Sequence, residues 1–350
     1  MKAEKLSISA NERLSFFSNM STMVNAGLTT AEAISSLLQD ATGTMKVILT
    51  GIAADINQGK QLHNALGRYP KVFDTVTVAI IKASEESGTI DVVLKDIKST
   101  VKKDIEFTDK IKSAVTYPII IIVVFFGVLV LLLTFVIPKI ATVFLRLRVE
   151  LPLPTKILIF LSDLILHYTI PTFAALGTAI FLMVILYTKQ KRFFVNTMLS
   201  LPYISSIARQ IDLTRFSRSM YLLLTSSIPL YTALEFTQHV AIKNDVRAAI
   251  NRARDFVGTG KTITDGLRGQ KAIPALMTKI IEVGEHSGTL DKSMEDLTEY
   301  FDYQVTTSLQ YMVTLLEPVI LVVVGLVVGS MMMAIIAPIY SLIGQVGGAQ

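Results

Sequence analysis

At 350 residues the chain is long enough for two ordinary domains, but 51% apolar residues against 17% charged ones, with a positive mean hydropathy, point to a protein built partly in lipid. With no cysteine, disulfide frameworks, thiolate chemistry and cysteine-held metals are excluded together. The net charge of +5 is spread thinly, so no segment offers the basic face that nucleic acid requires.

The N-terminal stretch MKAEKLSISANERL is polar and lacks the apolar core of a signal peptide, so residues 1–117 are expected to stay in the cytoplasm. Apolar residues here recur at helical spacing, which predicts an all-α module. Helices are expected over about Asn11–Ala26, with Leu14, Phe17, Met20 and Val24 on one face, then from a cap at Thr29 or Thr30 to Leu38. Further helices are expected over about Thr44–Gln58, with Val47, Ile48, Ile52 and Ile56 inward, near Leu62–Leu66, and near Val72–Glu85. In the turn that follows, Ser87, Gly88 and Thr89, Gly88 can take the left-handed conformation that closes a helix. Thr89 can cap the next, and Asp91 falls in a first turn, where the helix dipole favours a carboxylate. That sixth helix heads toward Tyr117 and Pro118.

Between Pro118 and Pro138 lie nineteen uncharged residues, close to the roughly 20 that cross a bilayer core. A loop with four basic residues follows, in which residues 157–168 read as an interfacial helix carrying Asp163. Residues 169–187 supply a second crossing, with Ala175 and Ala179 in a small-xxx-small pattern that lets helices approach. Lys102, Lys103, Lys110 and Lys112 before the first span, and Lys189, Lys191 and Arg192 after the second, place those ends inside.

Beyond the second span the sequence begins again. Residues 280–291, IIEVGEHSGTLD, match residues 80–91, IIKASEESGTID, at seven of twelve positions, and the offset of 200 then pairs Pro118 with Pro318 and Pro138 with Pro338. The second copy therefore carries its own turn, Ser287, Gly288, Thr289 and Asp291, with Ser227 where the first copy has Gly27. It ends in Glu317 and Pro318 where the first has Tyr117 and Pro118, and leads into a third span with a GxxxG at Gly325 and Gly329. Its third helix, Lys243–Val257, carries Arg247, Asn251 and Arg254 on one face, a polar stripe the first copy lacks.

The expected division is a cytoplasmic helical module over 1–117, a span over 118–138, an extracytoplasmic loop with an interfacial helix over 139–168, and a second span over 169–188. A second cytoplasmic module covers 189–317, a third span 318–338 and an extracytoplasmic tail 339–350. The fold class is an all-α membrane protein with two duplicated six-helix cytoplasmic bundles and three transmembrane helices.

Enzymatic chemistry finds little purchase. GTGKT at 258–262 fails as a phosphate loop because Asp255 stands where the pattern needs glycine and a helix precedes it. The four histidines have no second ligand at helical spacing, Ser87 and Ser287 lack a positioned base, and the acidic pairs Glu85/Glu86 and Glu285/Asp291 read as loop caps more simply than as cation ligands. No catalytic residue, cofactor or metal is assigned. A transporter would need ionisable groups inside the spans, and the first and third have none.

The two helical modules, each with an SG-x-(I/L)-D turn, one closing on Tyr117-Pro118 and the other on Glu317-Pro318 before a span, together resemble the inner-membrane platform protein of type II secretion and type IV pilus machines. The resemblance covers essentially residues 10–343. It implies a multi-pass inner-membrane protein without an activity of its own, forming homo-oligomers beside other inner-membrane assembly proteins. It also implies that a hexameric ATPase is coupled through this protein to extraction of pilin or pseudopilin subunits, and Arg247 and Arg254 are the candidate contact with that motor. A generic membrane-anchored scaffold is the alternative.

Overall fold

The computed structural model describes residues 3–139, 141–142, 153–167 and 202–347, and every regular element among them is helical. The second crossing expected at 169–188, with Ala175 and Ala179, lies outside the described residues. Met1–Ile111 and Leu201–Thr307 form one compact unit; Lys112–Ser200 and Ser308–Gln350 form another.

In the first unit, α1 (Ala10–Asn25) and α2 (Thr30–Asp40) each start with a reciprocal cap. The Ser9 hydroxyl accepts from the Glu12 N–H while the Glu12 carboxylate accepts from the Ser9 N–H at 2.8 Å, and Thr29 and Glu32 repeat the arrangement. Those amide bonds favour the ionised acid and hold both glutamates below the ordinary carboxylate range. In α3 (Gly43–Asn57) the buried stripe is Ile48, Leu49, Ile52 and Asp55. Val47, expected inward, is instead 55% exposed, because it falls one residue, about 100° of helix, outside that stripe. Asp55 is buried and ionised: Lys60 reaches it at 2.7 Å and Arg68 at 2.5 Å, and their hydrogen bonds push its carboxyl down.

The short α4 (Leu62–Gly67) precedes α5 (Thr75–Ser87), whose start is set by Asp74 accepting from the Thr77 N–H rather than by the apolar residues from Val72 onward. Helix α6 (Ile90–Leu131) then runs straight through Pro118 without a break. The second copy follows the same plan with α8 (Pro202–Thr225), α9 (Leu230–Thr237), α10 (Asn244–Gly258), α11 (Ile263–Leu267), α12 (Ala275–Ser287) and α13 (Leu290–Gly347). Both copies contribute to one hydrophobic core, with Phe17, Ile52 and Ile81 from the first and Phe216, Ile250 and Ile281 from the second.

Where α8 turns into α9, Ser227 takes the left-handed position of Gly27, at φ 58° against 92°. A side chain there costs roughly 1–2 kcal/mol, partly offset by the extra freedom glycine adds to the unfolded chain. Ser227→Gly is therefore expected to stabilise the protein by about 0.5–1 kcal/mol, read as a raised Tm of the detergent-solubilised chain. A lowered Tm would remove the strain argument.

In the second unit, α6 passes into a π turn at Leu132–Val136, which disturbs the backbone ladder. Ser162 of α7 (Leu153–His167), buried at this contact, donates its hydroxyl to the Leu133 carbonyl at 2.6 Å, and Ile159 and Ile165 pack around Leu133 and Ile137. The apolar stretches through α6 and its π turn, and through α13, are long enough to cross a membrane and almost uncovered among the described residues: Phe135 is 65% exposed and Leu326 69%. Such surface is stable only against lipid or another apolar partner.

Candidate functional site

The turn shared by both repeats is built from glycine outward. Gly88 and Gly288 sit at φ 72° and 71°, the left-handed C-terminal position that closes α5 and α12. The Thr89 N–H returns to the Ser84 carbonyl at 3.0 Å and the Thr289 N–H to Gly284 at 2.9 Å. The Ser87 and Thr89 hydroxyls share a hydrogen bond of 2.8 Å, and Ser287 and Thr289 one of 2.7 Å, so these serines serve the turn. Asp91 and Asp291 stand in the first turns of α6 and α13.

Three residues before each glycine, a glutamate reaches back to another helix. Glu85 accepts from the N–H groups of Leu62 and His63 at 2.6 and 3.0 Å and contacts His63 Nδ1 at 2.7 Å, while Glu285 accepts from the N–H groups of Ile263 and Thr264 and from the Thr264 hydroxyl. In each copy the carboxylate thus caps the short fourth helix, whose free N–H groups need an acceptor. The turn and its glutamate fix the short helix, the fifth and the sixth as one corner.

A charged part of the seam between the copies joins α6, α8 and α13. Arg218 of α8, only 6% exposed, bonds the Asp104 carboxylate of α6, stacks over the Phe107 ring with its guanidinium carbon 5.4 Å from the centroid, and approaches Asp302 at 4.0 Å. Lys110 also reaches Asp302, at 3.3 Å. Beside Arg218 is a cavity of about 260 Å³, also lined by Arg13, Asp74, Arg215 and His239. Asp212, fully buried on α8, accepts from the N–H groups of Ile242 and Lys243 at the start of α10. Burial pushes its carboxyl up, and those amide bonds pull it partly back.

The remaining expected residues are dispersed. Tyr117 is exposed, Pro118 is buried within α6, and Glu317 and Pro318 lie inside the continuous α13. Gly325 and Gly329 face open space, with nothing within 4 Å of a Cβ at either. Arg247 donates to the Ala241 carbonyl at 2.7 Å, and Arg254 pairs with Asp255 at 2.7 Å, so the stripe is half-buried rather than free. The seam residues Asp104, Arg218 and Asp302 escaped the reading of the sequence. The available signal was divergence between the copies, since arginine at 218 stands opposite Ser18 at the repeat offset.

A profile of the family described as type II secretion system protein F matches residues 16–138 and again 216–338. The chain belongs to that family. The two matches begin and end on equivalent residues, Phe16 with Phe216 and Pro138 with Pro338, so the family unit is a helical module together with its apolar stretch. The family member is 29% identical over 346 residues to the type IV pilus assembly protein PilC of Myxococcus xanthus, covering 97% of this chain and 82% of that one. Against PilC of Thermus thermophilus the identity is 30% over 334 residues, 94% of this chain and 82% of the relative. It is 28% identical over 326 residues to the type II secretion system protein F of Aeromonas hydrophila, covering 92% and 84%.

Proposed function

We propose that the chain is the inner-membrane platform of a type IV pilus or type II secretion machine. The observation that carries this reading is the family match to both repeats, extended by similarity to pilus-assembly and secretion proteins along nearly the whole chain. In this reading three spans anchor two six-helix modules on the cytoplasmic side, and the protein has no catalytic step of its own. A hexameric ATPase supplies the energy, pilin or pseudopilin subunits leave the bilayer at the platform, and several copies of the chain form the base. Ala175 and Ala179, and the uncovered Gly325 and Gly329, pack against neighbouring spans. The shared core of the two modules supports their lying on one side of the membrane. Deleting the chain in its host is expected to abolish surface filaments or secretion while subunit and ATPase levels persist. Cysteines introduced at Ser36 and Thr259 are expected to react from the same face of sealed membranes. Retained filaments and secretion, or labelling from opposite faces, would overturn the reading.

Arg247 and Arg254 are proposed to meet acidic residues of the ATPase, where charge sets orientation and association rate more than affinity. The double reversal Arg247→Glu, Arg254→Glu is expected to leave the membrane level of the chain normal and to remove salt-sensitive co-purification of the ATPase. It also breaks the bonds to Ala241 and Asp255, so the melt of the variant is read alongside. Undiminished co-purification would leave both arginines a packing role only.

A further inference from the structure

Duplication gives the first unit two copies of the α5 face and of the hairpin tip, and among the described residues one of each is paired. The α5 face of the first repeat is covered by the α8–α9 hairpin of the second: Val76 is 7% exposed on one side, Leu222 4% and Ile228 7% on the other. Glu86 and Ser226 line the same cleft across this contact. A mutual pairing would cover the equivalent residues as well, and they are open. Leu276, equivalent to Val76, is 45% exposed, and Val283 on the same face of α12 is 68% exposed. On the first repeat's hairpin, Leu28, equivalent to Ile228, is 37% exposed, and Thr22, equivalent to Leu222, is also open. The contact is therefore head to tail. Among the described residues it leaves one helix face, with Leu276 and Val283, and one hairpin tip without partners, each the repeat of a surface that already fits the other kind.

We propose that a second copy of this chain occupies them: the α12 face of one protomer, through Leu276 and Val283, docks on the α1–α2 hairpin tip of the next. Residues 22–28 of that tip, TMVNAGL, carry no charge, so Lys279 and His286 on the approaching face meet no repulsion. The pairing continues an interface the chain already makes within itself, which favours a copy of the chain over an unrelated partner. A contact of this kind between different surfaces closes into a ring or runs on as a filament. The inference deepens the oligomeric part of the function proposed above and is independent of its motor and subunit parts.

The cysteine-free chain allows a direct test in the full-length protein reconstituted into vesicles. The pair Glu86→Cys, Ser226→Cys is expected to be joined by a short bis-maleimide within one chain, leaving the mass of a monomer. The equivalent pair one repeat away, Ala26→Cys with His286→Cys, is expected to give covalent dimers and higher multiples. Chains carrying Ala26→Cys alone mixed with chains carrying His286→Cys alone should stop at the dimer, and neither should link by itself. Dimers from His286→Cys alone would replace the head-to-tail contact with a mutual one and overturn the proposal. If the within-chain control links while the Ala26→Cys, His286→Cys pair stays monomeric, the proposed faces are wrong. Mass photometry of the same sample then separates the two failures, since surviving oligomers leave the multimeric base standing and monomers remove that as well.

Discussion

Replacing Gly266 with alanine is expected to lower the stability of the first unit by about 2–3 kcal/mol. A Cβ at 266 would lie 2.4 Å from Ala253 Cα and 3.0 Å from its backbone nitrogen, so α11 and α10 meet backbone to backbone. Nothing there is the end of a flexible side chain, and relief requires the two helices to separate within a fully buried layer of Ala253, Ile263 and Leu267. Overpacking of this kind costs typically 1–3 kcal/mol and sometimes more. Alanine returns up to about 1 kcal/mol of helix propensity, which is too little to reverse the sign in a helix as short as Ile263–Leu267. For a domain of this size the change corresponds to a fall in Tm of roughly 4–12 °C, measured on the detergent-solubilised chain. Gly284→Ala is the informative comparison: the Ser293 hydroxyl can rotate away, but Ser293 Cβ at 2.8 Å and Leu290 Cα at 3.2 Å must give, so a loss of similar sign and somewhat smaller size is expected. An unchanged Tm for Gly266→Ala would show that α11 sits farther from α10 than this packing requires.

The helices and the SGT turns were legible because they depend on residues close in sequence. Helical spacing named most of the apolar faces of α1 and α3, placing Val47 inward and missing Phe16 and Leu49, and a left-handed position selects glycine whatever surrounds it, so Gly88 and Gly288 declared themselves. Ser9 with Glu12 and Thr29 with Glu32 were equally local signals, and reading them fixes the starts of α1 and α2 to the residue. The seam is different in kind. Glu85 looks like a cap for its own turn, yet its partners lie 22 and 23 residues away, and Arg218 finds Asp104 across 114 residues. Spacing and propensity carry no information at that range. Comparing the repeats carries some: Asp212 stands opposite Glu12, which caps its own helix. Because α8 begins farther upstream than α1, the same position lies well past the first turn of its helix, and its carboxylate is free to hold the start of α10 instead.

Arg218→Ala is the second large effect, expected to cost about 2–3 kcal/mol and to loosen the join between the repeats rather than either repeat alone. Removing one partner of a buried ion pair generally costs about 3–5 kcal/mol, because the other charge is left without compensation. Here the figure is discounted: the Asp104 side chain is 42% exposed and Asp302 28%, so water recovers part of the loss, and Lys110 still serves Asp302. What water cannot replace is the guanidinium lying over Phe107 inside the seam, which adds about 0.5–2 kcal/mol where it is desolvated. Arg218→Lys keeps the charge and loses the planar fork, so it should fall between wild type and alanine. A double-mutant cycle with Asp104→Ala isolates the pair, and a coupling of about 1–2 kcal/mol is expected for two groups in direct contact. Hydrogen exchange gives the location: protection should fall in α6 and α8 around residues 104 and 218 while the α3 and α10 cores keep theirs. Zero coupling, with exchange rising evenly through both repeats, would mean that Arg218 merely fills space at the seam. Coupling confined to the seam would mean that this charged contact can open while the hydrophobic core the two repeats share stays folded.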